Sequence, residues 1–230
     1  IADWSMSGER EGQYSADVVI DDVIVDLLQA SGFEVLSEES GVADIVWPIT
    51  DDRLLVVVDP LDGSTNASKG LPWYATSLCV VDRHGLRAAL VAEQSGSETR
   101  YGASRGGGAN RDGIPVRVNP LAHVSQAVVG TNGAPPYSHG WWQFRTLGAA
   151  ALDISLVATG GLDGYVDFHD HGVWDYLAAV LICQEAGAIV GEVNGKDLLT
   201  IDPLARRSPV VASSQALFDS LMDTARANRH

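Results

Sequence analysis

The sequence predicts a layered α/β protein, with β-sheets covered by helices, and three observations carry that expectation. Apolar runs of strand length alternate with segments of helical period along the 230 residues. The run RLLVVV at 53–58 is continuous and rich in β-branched residues, as a buried strand is. The segment VWDYLAAVLICQEA at 173–186 is a strongly apolar helix stopped by Gly187.

In order along the chain, residues 1–14 are polar and lack a period. SADVVIDDVIVDLLQA at 15–30 places Val19, Val23 and Leu27 beside Ile20, Ile24 and Leu28 at helical spacing, with Asp on the other face. Ser15 is the candidate N-cap, and Gly32 ends the helix. FEVLSEES at 33–40 reads as a short strand with a polar end, and DPLDGST at 59–65 follows the 53–58 strand. Strands are expected at 73–82, 86–93, 99–103 and 124–131, with RGGGANRDG at 105–113 as a loop. GAAALDISLVAT at 148–159 reads as a helix ended by Gly160-Gly161, and 162–168 is strand-like. Strands at 188–193 and 209–213 and an amphipathic helix at 216–227 complete the chain. No linker, repeat or low-complexity tract interrupts it.

A chain of this length buries roughly 70–75% of its unfolded surface and needs no staples. Lys and Arg total 15 against 30 Asp and Glu, a formal net charge of −15. Such a surface repels nucleic acid and anionic membranes, so neither is an expected partner. It also repels a phosphorylated substrate unless cations sit where that substrate binds. Cys79 and Cys183 lie in apolar segments and are expected as buried thiols in a reducing, cytoplasmic setting. No apolar run reaches the ~18 residues of a membrane span, and no signal peptide is read.

The chemistry concentrates at Asp59-Pro60-Leu61-Asp62-Gly63-Ser64-Thr65. An apolar strand delivers Asp59 at its end, and Pro60 stiffens the turn after it. Spacing of three brings Asp62 to the same side in a tight turn, along with the carbonyl of Leu61. Hard oxygen ligands of this kind suit magnesium, manganese or calcium rather than zinc. Gly63 allows close backbone approach, and Ser64 and Thr65 open a helical turn whose free N–H groups favour a phosphate. Glu38 and Glu39, at another strand end, and Asp175, at a helix start, each read alone as a solvated pair and a helix cap.

Together these blocks resemble the inositol monophosphatase family, the magnesium-dependent, lithium-sensitive phosphomonoesterases. VVVDPLDGSTN looks like its first signature and GVWDYLAAVLICQEAGAIV like its second, while LSEES resembles its glutamate motif and LGAAALDISLVATGGLDGYVD its connecting segment. Order and spacing agree from about Asp17 to Val193, and several matched blocks are far more specific than one. The resemblance implies an αβαβα sandwich of the sugar-phosphatase type: one phosphatase domain in two packed halves, about 1–120 and 121–230, with the metal site between them. It implies Glu38, Asp59, Asp62, Asp175 and the Leu61 carbonyl as ligands of two or three Mg²⁺ ions, with Mn²⁺ as a substitute and Li⁺ as an inhibitor. It implies Gly63, Ser64 and Thr65 as the phosphate site. Asp17 and Ser64 would orient or deprotonate the attacking water, with Glu38 counted beside them in the catalytic set. Ala149, Ala150 and Asp167 would face the alcohol half of a small phosphorylated metabolite, and a homodimer is the implied assembly.

The match departs from the family in places. Ala149 stands where the family commonly has Ser or Thr, so the backbone of Gly148 to Ala150 would have to serve instead. FHDHGV is one residue longer than usual, which loosens the assignment of Asp167. His169-Asp170-His171 reads as loop, with the substrate entrance as an alternative, and the aromatic group Trp141-Trp142 with Phe144 reads as core or interface. The segment before Asp17 is shorter than in the family, whose members usually carry a further helix and hairpin there; either the sequence is a truncated piece or the element is missing. Inositol 1-phosphate is the default substrate; fructose 1,6-bisphosphate, histidinol phosphate and 3′-phosphoadenosine 5′-phosphate stay open. A catalytically weak metal- and phosphate-binding regulatory protein is the rival class. A nucleotide-binding dehydrogenase finds no support, because Gly106 to Gly108 is not G-x-G-x-x-G and precedes no predicted helix.

Overall fold

Strand β3 (Leu55–Asp62) organises the larger of two sheets, and its continuous apolar run has a direct cause: both of its faces are covered. Val56 and Val58 point outward with Val35 to meet Ile24, Val25 and Leu28, whereas Leu55 and Val57 point inward to the main core. The protein is described by a computed structural model over residues 3–7, 13–42, 47–121, 123–136 and 139–228.

The other strands of this sheet are β1 (Glu34–Ser37), β2 (Gly41–Val42), β4 (Ala75–Asp82), β5 (Gly85–Glu93), β6 (Arg100–Ser104), β7 (Gly108–Arg111) and β8 (Ile114–Val116), in the order β2-β1-β3-β4-β5-β6-β7-β8. Only β1 and β3 run parallel within it. The second sheet holds β9 (Val128–Asn132), β10 (Gln143–Arg145), β11 (Gly164–Asp167), β12 (Ile189–Glu192) and β13 (Pro209–Ala212), in the order β10-β9-β11-β13-β12.

Among the described residues, five α-helices complete the layers. Helix α1 (Ser15–Ala30) covers the outer face of the first sheet at β1 and β3, and the short α2 (Ser64–Lys69) follows the motif strand. Helices α3 (Ala150–Thr159) and α4 (Val173–Glu185) pack on each other between the sheets, and α5 (Gln215–Ala227) covers the outer face of the second at β11, β12 and β13. The result is the αβαβα sandwich the sequence predicts. Helix α4 touches both sheets, so ten of its thirteen residues are buried and its sequence is apolar all round.

Several elements differ from the expectation. β3 does not stop before the motif: it runs through Asp59 to Asp62, with a shift in its pairing to β4 between those two residues. Pro60 has no N–H to give the ladder, so the irregularity falls there. Tyr14, not Ser15, is the N-cap of α1, and its N–H donates to the Asp17 carboxylate at 3.0 Å. RGGGANRDG is not a loop throughout: it contains β7 and the turn into β8, with Asp112 and Gly113 at φ 53° and 78°. β8 and β10 are three residues long, too short for an alternation to register. Trp141 is core, but Trp142 and Phe144 are 65% and 43% exposed, so the aromatic group divides. Cys79 and Cys183 are buried free thiols. No helix among the described residues is long and apolar enough to cross a membrane.

Candidate metal centre

The parallel pairing of β1 with β3 brings together carboxylates distant in sequence. Ser37 is the register partner of Val58, so Glu38 and Asp59, the next residue on each strand, emerge side by side. The Glu38 N–H donates to the Val58 carbonyl at 3.3 Å. Across the antiparallel pair, Asp59 faces Ser77, whose hydroxyl donates to the Trp174 carbonyl at 3.1 Å. That bond holds the first turn of α4 against the sheet, and Asp175 follows Trp174. Ligand oxygens of Glu38, Asp59 and Asp175 all lie within 4.8 Å of one another. Three hard anionic donors at this separation fit an oxygen-coordinated divalent cation.

Glu38 and Asp59 form part of the wall of a cavity of about 370 Å³, with Gln13, Asp17, Glu39, Pro60, Leu61, Ser64, Arg206 and, next to Asp175 in the chain, Trp174. Helix α1 supplies Asp17. One turn further along, Asp21 accepts a hydrogen bond from the Ser37 hydroxyl, which locks that acidic face of α1 to the end of β1. Oδ2 of Asp17 takes the Tyr14 N–H, while Oδ1 is buried without a hydrogen-bond partner among the described residues. Burial raises the Asp17 pKa, as does the charge of Glu39, while the Tyr14 N–H and the Ser64 hydroxyl oppose the rise. A carboxylate with an unsatisfied oxygen in a cavity wall is suited to hold a water or accept its proton.

Asp62 stands apart. Both of its oxygens accept N–H groups at the start of α3, from Ala150 at 3.0 Å and Ala151 at 2.7 Å. It lines a second cavity of about 110 Å³, with Thr131, Asn132, Thr146, Gly148, Ala149, Ala150, Asp153, Tyr165 and His171. The Ala150 N–H, expected to serve a substrate alcohol, is thus engaged by Asp62. Asp167, expected at the same end, is fully buried and lines neither cavity. It accepts bonds from Asn132 Nδ2 at 2.9 Å and the His169 N–H at 2.9 Å, and pairs with His171 Nδ1 at 2.6 Å. Of the expected phosphate residues, Ser64 lines the first cavity and Gly63 and Thr65 flank it in the chain without lining the wall.

The electrostatics follow from crowding acids in a dry place. Burial, then the charges of Glu38, Asp62 and Asp175, hold Asp59 well above the usual carboxylate range. Burial, then Asp175, pushes Asp62 up to about 8. Burial also raises Asp175, although His171 and the Gly172 N–H, which donates at 2.8 Å, pull the other way. Burial alone would lower His171, but its bond with Asp167 and the nearby carboxylates outweigh it and bring the imidazole to about 9. Without cations, these acids share protons; with them, they ionise.

Of two further lining residues, one is half visible in the sequence and the other is not. His171 reads there as loop, with the substrate entrance as an alternative; it lines the second cavity, and its placement depends on a bridge with Arg207 that no local pattern announces. Arg206 sits between strands in an exposed segment and reaches the first cavity only through the fold.

Gly63 shapes the turn that leads into Ser64 and Thr65. Its φ is 86°, and a Cβ there would lie 3.0 Å from both the Ala149 Cβ and the Trp73 carbonyl oxygen. Gly63→Ala therefore combines left-handed strain with a clash, for an expected loss of about 2–4 kcal/mol of stability. Chemical denaturation measures it; a loss below about 0.5 kcal/mol would show that this turn adapts freely.

The fold and site thus define a five-layered α/β protein with a carboxylate-rich pocket at the ends of β1 and β3. The profile of the inositol monophosphatase family matches residues 5–230, so the chain belongs to that family and is a phosphatase. It is 31% identical over 210 residues to a fructose-1,6-bisphosphatase of Pyrococcus furiosus, covering 90% of this chain and 80% of that one. It is 30% identical to Nus factor SuhB of Escherichia coli K12, covering 83% and 75%. Among solved structures, it superposes with a TM-score of 0.83 and 28% identity on a Pyrococcus horikoshii protein, PH1897, described as having similarities for inositol-1 monophosphatase; the match covers 96% of this chain and 88% of that one.

Proposed function

We propose that the protein hydrolyses the phosphate monoester of a small polyol or sugar in a magnesium-dependent reaction, with inositol 1-phosphate as the first candidate. The observation that carries this reading is the approach of Glu38, Asp59 and Asp175 within 4.8 Å beside the unpartnered oxygen of Asp17. Those three carboxylates, with the Leu61 carbonyl, would hold the ions, and Asp62 would join after turning one oxygen from α3. Two or three Mg²⁺ ions held there, or Mn²⁺ in their place, would supply charge neutralisation of the phosphate, a lowered water pKa and stabilisation of the leaving alkoxide. Asp17 takes the proton of the attacking water, with the Ser64 hydroxyl fixing the water's direction. Gly63, Ser64 and Thr65 orient the phosphate, and the loose transition state leaves most of the catalysis to positioning and charge.

The alcohol half would extend toward the second cavity, where Ala149 and Ala150 form part of the wall and Asp167 acts through His171 and Asn132. The working unit would be one domain of two halves, about 1–120 and 121–230, in a cytoplasmic homodimer. Fructose 1,6-bisphosphate gains weight from the Pyrococcus furiosus relative's name; histidinol phosphate and 3′-phosphoadenosine 5′-phosphate are further candidates. The engagement of the Ala150 N–H by Asp62 favours, as second reading, a weakly catalytic metal- and phosphate-binding regulatory protein.

A phosphate-release screen over these esters, with and without magnesium and with added lithium, tests the proposal. Release is expected to depend on magnesium and to be inhibited by lithium. No release from any ester by folded, metal-loaded protein would favour the regulatory reading.

A further inference from the structure

Arg206 is the only arginine or lysine among the described residues lining the first cavity, whose wall also holds Asp17, Glu38, Glu39 and Asp59. An arginine beside that many carboxylates is expected to fold onto one of them. Arg206 does not: among the described residues it forms no ion pair. Two constraints hold it away. Its guanidinium carbon lies 5.5 Å from the ring centroid of Trp174, over the aromatic face. Its Nη1 donates to the carbonyls of Pro203 at 2.8 Å and Ala205 at 3.0 Å, which fixes the side chain to its own segment between β12 and β13. Nη1 is thereby satisfied, and Nε and Nη2 have no acceptor among the described residues.

The guanidinium is therefore pre-oriented, with one edge anchored and the other unspent. A planar fork of this kind matches the two oxygens of a phosphate or carboxylate. The reacting phosphate belongs over Glu38, Asp59 and Asp175, where cations would meet its charge. Arg206 stands exposed in the wall of the same cavity, over Trp174, so an alcohol half that carries a second anion would turn to this side rather than toward the second cavity. A cavity of about 370 Å³ has room for a phosphorylated hexose.

We propose that Arg206 binds a second anionic group on the alcohol half of the substrate, so that the site prefers sugar bisphosphates or phosphorylated sugar acids to phosphates of neutral polyols. The proposal rests on the phosphatase reading of the same cavity and adds the class of substrate. Arg206 is a specificity residue here, apart from the chemical step.

The test compares Arg206→Gln with the wild type on two doubly anionic substrates, fructose 1,6-bisphosphate and 6-phosphogluconate, and two singly phosphorylated ones, inositol 1-phosphate and fructose 6-phosphate. The expected result is a drop of about tenfold or more in kcat/KM for the doubly anionic pair, carried by KM, with the other pair within about twofold. Arg206→Lys, which keeps the charge but not the fork, should recover part of the loss and guards against a folding defect. A drop confined to the bisphosphate also supports the proposal and narrows the subsite to phosphate. Equal losses on all four substrates, as a merely structural role would give, or no loss at all, overturn it. Titration calorimetry of the same four compounds, on Asp17→Asn protein with and without Arg206→Gln, separates the two levels. If the wild type releases no phosphate, the phosphatase reading fails, and the calorimetric contrast between the two pairs still decides the role of Arg206.

Discussion

Asp59→Asn is expected to lower magnesium-dependent phosphate release by about a thousandfold or more, because the carboxylate proposed as a ligand becomes a weak neutral donor. Asp59 lies within 4.8 Å of both Glu38 on the neighbouring strand and Asp175 on α4, so the substitution would remove one of the three proposed anionic donors. The same substitution is expected to raise the melting temperature of metal-free protein. Asp59 is 2% exposed, and its ionised form is disfavoured by burial and by Glu38, Asp62 and Asp175. An amide of the same shape removes that penalty. The magnesium-induced gain in melting temperature should shrink with it. Phosphate release, magnesium titration and melting with and without chelator check the three effects, and normal turnover by the mutant would sink the ligand assignment.

The second large effect concerns pH. Asp62, held at about 8, and Asp59 and Asp175, also raised, keep protons in the folded state that the unfolded chain has already released above about pH 4. Asp153, which burial brings to about 7, adds to them. The folded state binds more protons than the unfolded state across this window, so stability falls as pH rises from about 4 to 8. His171 acts in the same direction: its folded value of about 9 gives stability that is fully present below about 6.5 and fades as pH climbs through 9. Metal-free protein is therefore expected to melt at least about 5 °C lower at pH 8.5 than at pH 6. Magnesium should stabilise most at the alkaline end, where the carboxylates no longer have to lose protons to bind it. Melting curves in chelator that stay flat or rise across this range would contradict this ordering of the pKa values.

The fold was largely legible because its central elements carry unambiguous patterns. The run ending at Val58 and the apolar helix at α4 are buried on all sides, and neither pattern admits an exposed alternative. The short edges were not legible, since β8 and β10 offer three residues each and draw their order from neighbours. The site divided in the same way. Asp59, Asp62 and Ser64 share one segment and point to their chemistry directly. Glu38 and Asp175 look like an exposed residue and a helix cap until the β1–β3 register and the Ser77–Trp174 bond bring them together. The engagement of Asp62 by the Ala150 and Ala151 N–H groups, and the burial of Asp167, depend on how α3 meets the motif strand, which no spacing encodes.

The bond from Ser77 to the Trp174 carbonyl joins a sheet strand to a helix of the inner layer directly under the carboxylate cluster. A cation bound by Glu38, Asp59 and Asp175 would span that same seam and act as a reversible cross-link between parts of the chain far apart in sequence. Cross-links that close long loops restrict the unfolded chain most, as a disulfide does. Metal supply would then govern the mechanical integrity of the inner layer, and the first turn of α4 would be the place where depletion first loosens the protein.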